Sequence, residues 1–183
     1  MPSYKAPIRD MKFILHEMLN ITELSKYEQF SEMDGDLVDA ILEEGAKFTE
    51  EVIAPLNIVG DHEGCTRHAD GSVTTPTGFK DAYKTLVDNG WTSIIRDPNY
   101  GGQGLPGLLG IPVGEMQTSA NMAFSMYPGL TGGAIKAISV GGSDDQKQTF
   151  LPKMISGEWS GTMNLTEPHC GTDLGLLKTK AVK

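Results

Sequence analysis

Residues 143–173 read SDDQKQTFLPKMISGEWSGTMNLTEPHCGTD, and the predicted secondary structure changes within this stretch. Ser143 precedes two aspartates and a glutamine, an arrangement typical of a helix start with a serine cap and an acidic first turn. The helix is expected to end near Pro152, because proline lacks the amide hydrogen that continues a helix. The stretch therefore begins as a short capped helix.

The chain after Gly157 has a different pattern. Residues 159–165 and 177–182 are predicted as β-strands, the second because its side chains alternate along LKTKAV. Two strands do not close a sheet, so this β part is expected to be incomplete, with an exposed edge. The sequence thus predicts a helical domain over residues 1–157 and a truncated β domain over residues 158–183.

The part upstream of this boundary is predicted to be mainly α-helical. Apolar residues recur there at helical spacing, and Asn89-Gly90 is typical of a left-handed helix stop. The predicted helices are residues 10–19 with Asp10 as the cap, a short helix near 23–24, residues 37–53, residues 77–88 with Thr77 as the cap, residues 113–126 and residues 131–140. The helix at 131–140 has little charge and is expected to be buried on most sides. Residues 61–76 are predicted to form a long surface loop.

The charge of the chain limits its partners. It has 15 Lys and Arg against 24 Asp and Glu, a formal net charge of −9. Nucleic acid and anionic membrane surfaces are disfavoured, since both are bound through clustered basic residues. No stretch reaches the roughly 18 apolar residues of a membrane span, and the N-terminal sequence has no apolar signal core. We therefore expect a protein of the cytoplasm without a membrane span.

Two patterns resemble cofactor sites and are rejected as such. Cys65 and His68, together with the adjacent His169 and Cys170, have poor zinc spacing, because neighbouring side chains generally diverge. Two cysteines form no disulfide framework. The glycines of GGQGLPG, residues 101–107, formally match the dinucleotide fingerprint, but no clear strand precedes them and no acidic residue follows about 20 positions later. No metal site and no nicotinamide site are predicted.

Several ordered motifs resemble those of the acyl-CoA dehydrogenase family. They are YGGQGLPG at residues 100–107, DDQKQTFLPKMISGE at residues 144–158 and TEPHCGTD at residues 166–173. Their order and spacing are specific, and the opening YKAPIRDMKF adds a likeness to the longer branch that includes methylthiopropionyl-CoA dehydrogenases. The resemblance implies the N-terminal helical domain of such an enzyme plus the first strands of its middle β domain.

The resemblance also implies an activity, α,β-dehydrogenation of an acyl-CoA thioester with FAD as cofactor. In the family a glutamate removes the α proton while the β hydrogen leaves as hydride to the flavin. That base belongs to the C-terminal half, so no catalytic residue is expected in this chain, and Glu167 is interpreted as part of a turn. An electron-accepting protein and a homo-oligomeric parent enzyme are further implications.

The cofactor residues implied by the resemblance follow the helical domain. The Thr166 hydroxyl is expected to bond the flavin near N5, and the backbone of Met163, Asn164 and Leu165 is expected to contact its pyrimidine edge. Thr172 is expected to contact the flavin phosphate or the pantetheine part of the acyl-CoA. His169 and Cys170 replace two small residues of many members, and His169 is expected to pack rather than touch substrate.

A second hypothesis remains open. The chain could be a non-catalytic helical module that uses the same surface for protein association. The fragment alone is expected to be inactive under either hypothesis, because the base is missing.

Overall fold

The computed structural model describes residues 3–182, so Met1, Pro2 and Lys183, at the ends of the two predicted domains, lie outside it. The described chain is mainly α-helical, as predicted. Its regular elements are α1 (Ile8–Phe13), α2 (Gly35–Phe48), α3 (Leu56–Glu63), β1 (Thr66–Arg67), β2 (Val73–Thr74), α4 (Phe79–Asp88), α5 (Gly107–Ala120), α6 (Met122–Gly141) and α7 (Asp144–Ile155).

Two helices continue into wider π-helical turns. α1 is followed by a π-helix at Ile14–Met18, and α2 by one at Thr49–Ile53. Together α2 and its π turn cover the predicted helix at 37–53, which ends before Pro55. Single π-helical turns interrupt α-helices at places where the packing requires an extra residue.

The core consists of three apolar clusters. One joins α1, α2 and α5 through side chains such as Met11, Leu42 and Met116. A second joins the π turn after α2 to α4 and α6, and a third holds α7 against α6 through Ile135 and Leu151. α5 and α6 thus form the centre on which the other helices pack.

Side-chain caps fix the starts of α2 and α7. The Asp34 carboxylate accepts a hydrogen bond from the Leu37 amide at 2.8 Å, which begins α2. Ser143 and Gln146 form the capping box expected at the start of α7. α7 continues through Pro152 to Ile155, one turn beyond the predicted end, because a proline removes only its own amide donor. The Ser156 amide still donates to the Pro152 carbonyl at 3.0 Å.

Three predicted boundaries are wrong. α1 begins at Ile8, so Asp10 lies inside the helix rather than capping it. α4 is preceded by Gly78 in a left-handed conformation, and Thr77 is not its cap. The predicted helix at 113–126 is two helices, because the Asn121 side chain accepts from the Phe124 amide at 3.0 Å and starts α6 there.

Burial and loop structure also differ from expectation around residues 131–140 and 61–76. The former are the second half of α6, where Thr131 and Ile135 are buried but Val140 is 72% exposed. The segment 61–76 contains the end of α3 and the antiparallel hairpin of β1 and β2, in which Arg67 pairs with Val73. The Asp70-Gly71 turn, with Gly71 at φ +86°, permits this hairpin.

The strands predicted at residues 159–165 and 177–182 are wrong: the described chain forms no strand at either position. Of the described residues after 157, only Leu174–Leu176 form a regular element, a short 3₁₀ turn. The physical reason is that a strand is defined by hydrogen bonds to a neighbour. Within residues 3–182 no other strand lies beside either stretch. Side-chain alternation alone does not create the pairing.

Candidate functional site

The segment that follows α7 leaves the helical domain against α6. The Gly161 amide donates to the Thr131 hydroxyl at 3.1 Å. A side chain at position 161 would place its Cβ 2.6 Å from the Cβ of Ala134, so glycine is required for this close approach. α6 therefore fixes the point at which residues 162–166 depart.

The residues expected to hold the cofactor lie together on this departing segment. Met163, Asn164, Leu165 and Thr166 are all exposed, and Met163 is 65% exposed. Their backbone amides make no main-chain hydrogen bond within residues 3–182. The segment thus presents free donors and acceptors and an exposed hydroxyl, the groups that would bind the edge of a planar, polar ring.

A tight turn separates Thr166 from Thr172. The Cys170 and Gly171 amides both donate to the Glu167 carbonyl at 3.2 Å, and Gly171 has φ +51°. Thr172, the residue expected at the phosphate or pantetheine, is exposed after this turn. The structure brings Thr166 and Thr172 to the same turn, one on each side of it.

Glu167 has a structural role that sequence reasoning missed. Its carboxylate accepts from the Thr179 amide at 2.8 Å and from the Lys178 amide at 3.1 Å, which holds the end of the described chain against the turn. Hydrogen bonds from Thr179 and then Lys178 hold the pKa of Glu167 below its ordinary value. The carboxylate is therefore an anchor within this turn.

Glu167, His169 and Cys170 offer ligand atoms that all lie within 4.8 Å of one another. The expectation that His169 and Cys170 diverge is therefore wrong for this turn, which curls their side chains to one side. All three groups already have partners: the Glu167 carboxylate accepts backbone amides, His169 Nε2 lies 3.0 Å from the Leu176 carbonyl, and the Cys170 thiol donates to the Glu167 carbonyl. The absence of a metal site stays a prediction.

Arg96 is a second feature that sequence reasoning missed. Its half-buried guanidinium lies against α6, and its Nε has no hydrogen-bond partner in the described part of the chain. The sequence does contain a possible indication of this burial, because Arg96 is a single cation directly after residues 91–95, which have no charge. Burial could not be inferred from that pattern alone.

Comparison with protein families identifies the helical part. Residues 38–158 match the model described as the acyl-CoA dehydrogenase N-terminal domain. The chain belongs to the acyl-CoA dehydrogenase family. This range runs from within α2 to just beyond α7 and includes the two motifs at residues 100–107 and 144–158.

Curated members of this family align with nearly the whole chain. The 3-methylmercaptopropionyl-CoA dehydrogenase of Ruegeria pomeroyi is 44% identical over 98% of the chain, and a butyryl-CoA dehydrogenase of Syntrophomonas wolfei is 36% identical over 97%. The chain spans about 30% of the length of each of these relatives.

Solved acyl-CoA dehydrogenase structures share the fold. Butyryl-CoA dehydrogenase from Megasphaera elsdenii superposes with a TM-score of 0.63 at 26% identity, over 79% of this chain and 36% of that one. An acyl-CoA dehydrogenase from Bacillus anthracis, complexed with FAD, gives a TM-score of 0.60 at 24% identity over 77% of this chain and 22% of that one. Within residues 3–182 of this chain, no helix is both long enough and apolar enough to cross a membrane.

Proposed function

We propose that this chain forms the N-terminal part of an FAD-dependent acyl-CoA dehydrogenase that introduces an α,β double bond into an acyl-CoA thioester. The observation that carries the proposal is the exposed segment 163–166, which leaves a helical domain of this family. Its backbone groups have no main-chain partner within residues 3–182. The names of the relatives, which act on acyl-CoA thioesters, support the substrate class. The domain division at residues 157 and 158 is part of the same proposal.

The chain's contribution is to bind and orient rather than to transfer a proton. The Thr166 hydroxyl donates a hydrogen bond to the flavin ring near N5, and the backbone of Met163, Asn164 and Leu165 contacts the pyrimidine edge. Thr172 contacts the flavin phosphate or the pantetheine arm of the substrate. When bound, FAD supplies the acceptor for the hydride from the β carbon. Holding cofactor and thioester in fixed orientation lowers the barrier to removal of the α proton.

The base that takes the α proton is proposed to lie outside this chain. Glu167 is committed to the amides of Lys178 and Thr179, and it is not assigned that role. The parent enzyme is proposed to be a homo-oligomer in the cytoplasm that passes its electrons to an acceptor protein. Two free cysteines are consistent with a reducing compartment.

A chimera tests the assignment of Thr166. Residues 1–183 replace the matching part of the Ruegeria pomeroyi relative, and FAD affinity and the flavin absorption spectrum are measured. Thr166→Val is expected to weaken FAD binding about tenfold, the effect of one lost hydrogen bond, and to shift the flavin spectrum. Thr77→Val, the same change at an exposed position before α4, is the matched control and is expected to leave both unchanged.

Two outcomes would contradict the proposal. Equal FAD affinity and spectrum in the Thr166→Val and Thr77→Val chimeras would remove Thr166 from the cofactor site. Anaerobic bleaching of FAD by an acyl-CoA with the 183-residue chain alone would show that the chain contains its own base. We expect no bleaching in that experiment.

A further inference from the structure

Two cavities adjoin Arg96. The larger lies between the loop that precedes α5 and the helices α5 and α6, and the smaller lies between that loop and the helices α4, α6 and α7. One has a volume of about 210 Å³ and the other about 70 Å³. Both are lined by Trp91, Thr92, Arg96 and Pro128. A water molecule occupies roughly 30 Å³ of liquid, so the larger cavity has room for a small organic ion as well as for water.

The positive charge of Arg96 has no counter-charge there. None of the ion pairs formed within residues 3–182 includes Arg96. No Asp or Glu of the described chain lines either cavity, and Arg96 is the one charged residue among those that do. Most of the other Lys and Arg side chains that form no ion pair in the described chain are exposed, whereas Arg96 is half-buried.

The environment penalises this unpaired charge. Burial lowers the pKa of Arg96 from its ordinary value, which reflects the cost of removing a guanidinium from water. A buried cation is normally compensated by an anion that also satisfies its N–H groups. A Cβ at position 132 of α6 would lie 2.8 Å from Arg96 Nη2. Gly132 thus leaves the space that the guanidinium occupies.

Trp91 adds a second donor without a partner. Its indole Nε1 is buried and makes no hydrogen bond within residues 3–182, as is also true of Arg96 Nε. Both groups can only donate hydrogen bonds. Both nitrogens are closed off from the cavities, so a ligand there would meet the outer nitrogens of the Arg96 guanidinium rather than these two groups. The uncompensated positive charge favours a ligand that carries negative charge.

We propose that the larger cavity binds a monocarboxylate, held by the outer nitrogens of the Arg96 guanidinium beside the Trp91 ring. A carboxylate matches the planar fork of a guanidinium and can accept two parallel hydrogen bonds. One negative charge balances the one positive charge, whereas a phosphate dianion would bring a second charge into a cavity without a second cation. Ile94, Ile95 and Val113 line the same cavity and suit a short apolar chain on the carboxylate. The proposal does not depend on flavin binding.

The test is a titration of the 183-residue chain with acetate and butyrate, followed by ¹H–¹⁵N NMR of the two indole N–H signals. The chain has two tryptophans, and Trp159, which is 38% exposed, provides an internal control. A Trp159→Phe variant assigns the signals. We expect a saturable shift of the Trp91 signal with either carboxylate, and no saturable shift of the Trp159 signal.

Variants separate the site from general charge effects. Arg96→Gln is expected to weaken carboxylate binding at least about tenfold, as expected for losing a charged hydrogen-bond pair. Arg67→Gln removes the same charge from the exposed hairpin and is expected to leave binding unchanged. Arg96→Lys keeps the positive charge but cannot donate two parallel hydrogen bonds to a carboxylate. We expect this variant to bind acetate and butyrate more weakly than the unchanged chain does. With two variants at position 96, the test does not depend on the folding of either one.

Three results would overturn the proposal. The first is the absence of a saturable Trp91 shift in the unchanged chain, which would mean that water alone fills the cavity. The second is equal binding by the folded Arg96→Gln and Arg67→Gln variants. The third is tighter binding of inorganic phosphate than of acetate, which would assign the site to a different anion. None of these results bears on whether Thr166 contacts FAD.

Discussion

At the scale of single residues, Glu167 connects the turn at residues 167–171 to the chain at residues 178 and 179. Its carboxylate faces the amides of Lys178 and Thr179 from across a turn that also contains His169 and Cys170. The groups that lower its pKa are hydrogen-bond donors, because they favour the charged form. The stability of this contact is therefore linked to pH.

Acidification is expected to open the contact made by Glu167. A carboxyl whose pKa is lower in the folded state contributes stability that is complete above its unfolded pKa and is lost as the pH falls through the lowered value. Backbone amide exchange at Lys178 and Thr179, corrected for the intrinsic effect of pH, should accelerate across that range. Exchange that follows only the intrinsic pH dependence would contradict this.

A Glu167→Gln variant provides the control for that experiment. The amide keeps one acceptor oxygen but does not titrate in this range, so exchange at Lys178 and Thr179 should be faster at neutral pH and insensitive to acid. Glu63, which accepts from the Thr77 amide at 2.7 Å far from this turn, allows a matched Glu63→Gln variant. That variant should leave the exchange of both amides unchanged.

At the scale of helices and their connections, the path of the chain after α7 depends on Gly157. Gly157 has φ +76°, its carbonyl accepts from the Tyr83 hydroxyl at 3.2 Å, and a Cβ there would lie 2.5 Å from Val87 Cγ2. α4 therefore packs directly against the residue at which the chain turns out of α7. A side chain at this position would meet both backbone strain and a steric clash.

Gly157→Ala is expected to destabilise the domain by about 2–4 kcal/mol, from left-handed strain of about 1 kcal/mol plus overpacking of about 1–3 kcal/mol. Gly71→Ala is a matched control, because Gly71 has φ +86° but a Cβ at that position would have no neighbouring atom within 4 Å. It should cost only the strain, about 1 kcal/mol. Urea unfolding measures both, and equal losses would show that the contact with α4 is unimportant.

The elements that could be predicted from sequence are those with local signals. α2 follows from the spacing of Val38, Leu42 and their neighbours, and the start of α7 follows from Ser143 and Gln146, because periodicity and caps act within a few residues. The break at Asn121 was not predicted. Its effect depends on a tertiary contact, since the Asn121 side chain also donates to the Ile53 carbonyl at 3.4 Å.

At the scale of the whole molecule, the sequence was a poorer guide to the strands and to the candidate cofactor site than to the helices. Residues 159–165 and 177–182 alternate as strands do, but pairing needs partners that local sequence does not specify. The proposed roles of Thr166 and Thr172 come from resemblance to a family, and the structure adds the exposure of both residues on either side of one turn. Arg96 was missed because its burial depends on where α6 packs.

The mass of the native protein in its source cells tests the proposed function at this scale. If the chain acts as part of a dehydrogenase like the relatives of which it spans about 30%, the native mass should be several-fold above 19.7 kDa. Mass spectrometry of the protein captured with an antibody to the helical domain measures this. A native mass of 19.7 kDa would favour the hypothesis of a non-catalytic helical module.

The hairpin of β1 and β2 makes the domain suitable for engineering. Every residue from Asp61 to Thr74 is exposed, and the turn at Asp70-Gly71 makes only local hydrogen bonds within the described chain. Exposed loop tips are the positions at which proteins accept inserted sequences with little loss of stability. An epitope or a small fluorescent reporter inserted at this tip would therefore label the protein without displacing any helix that holds Gly161 or the segment beyond it.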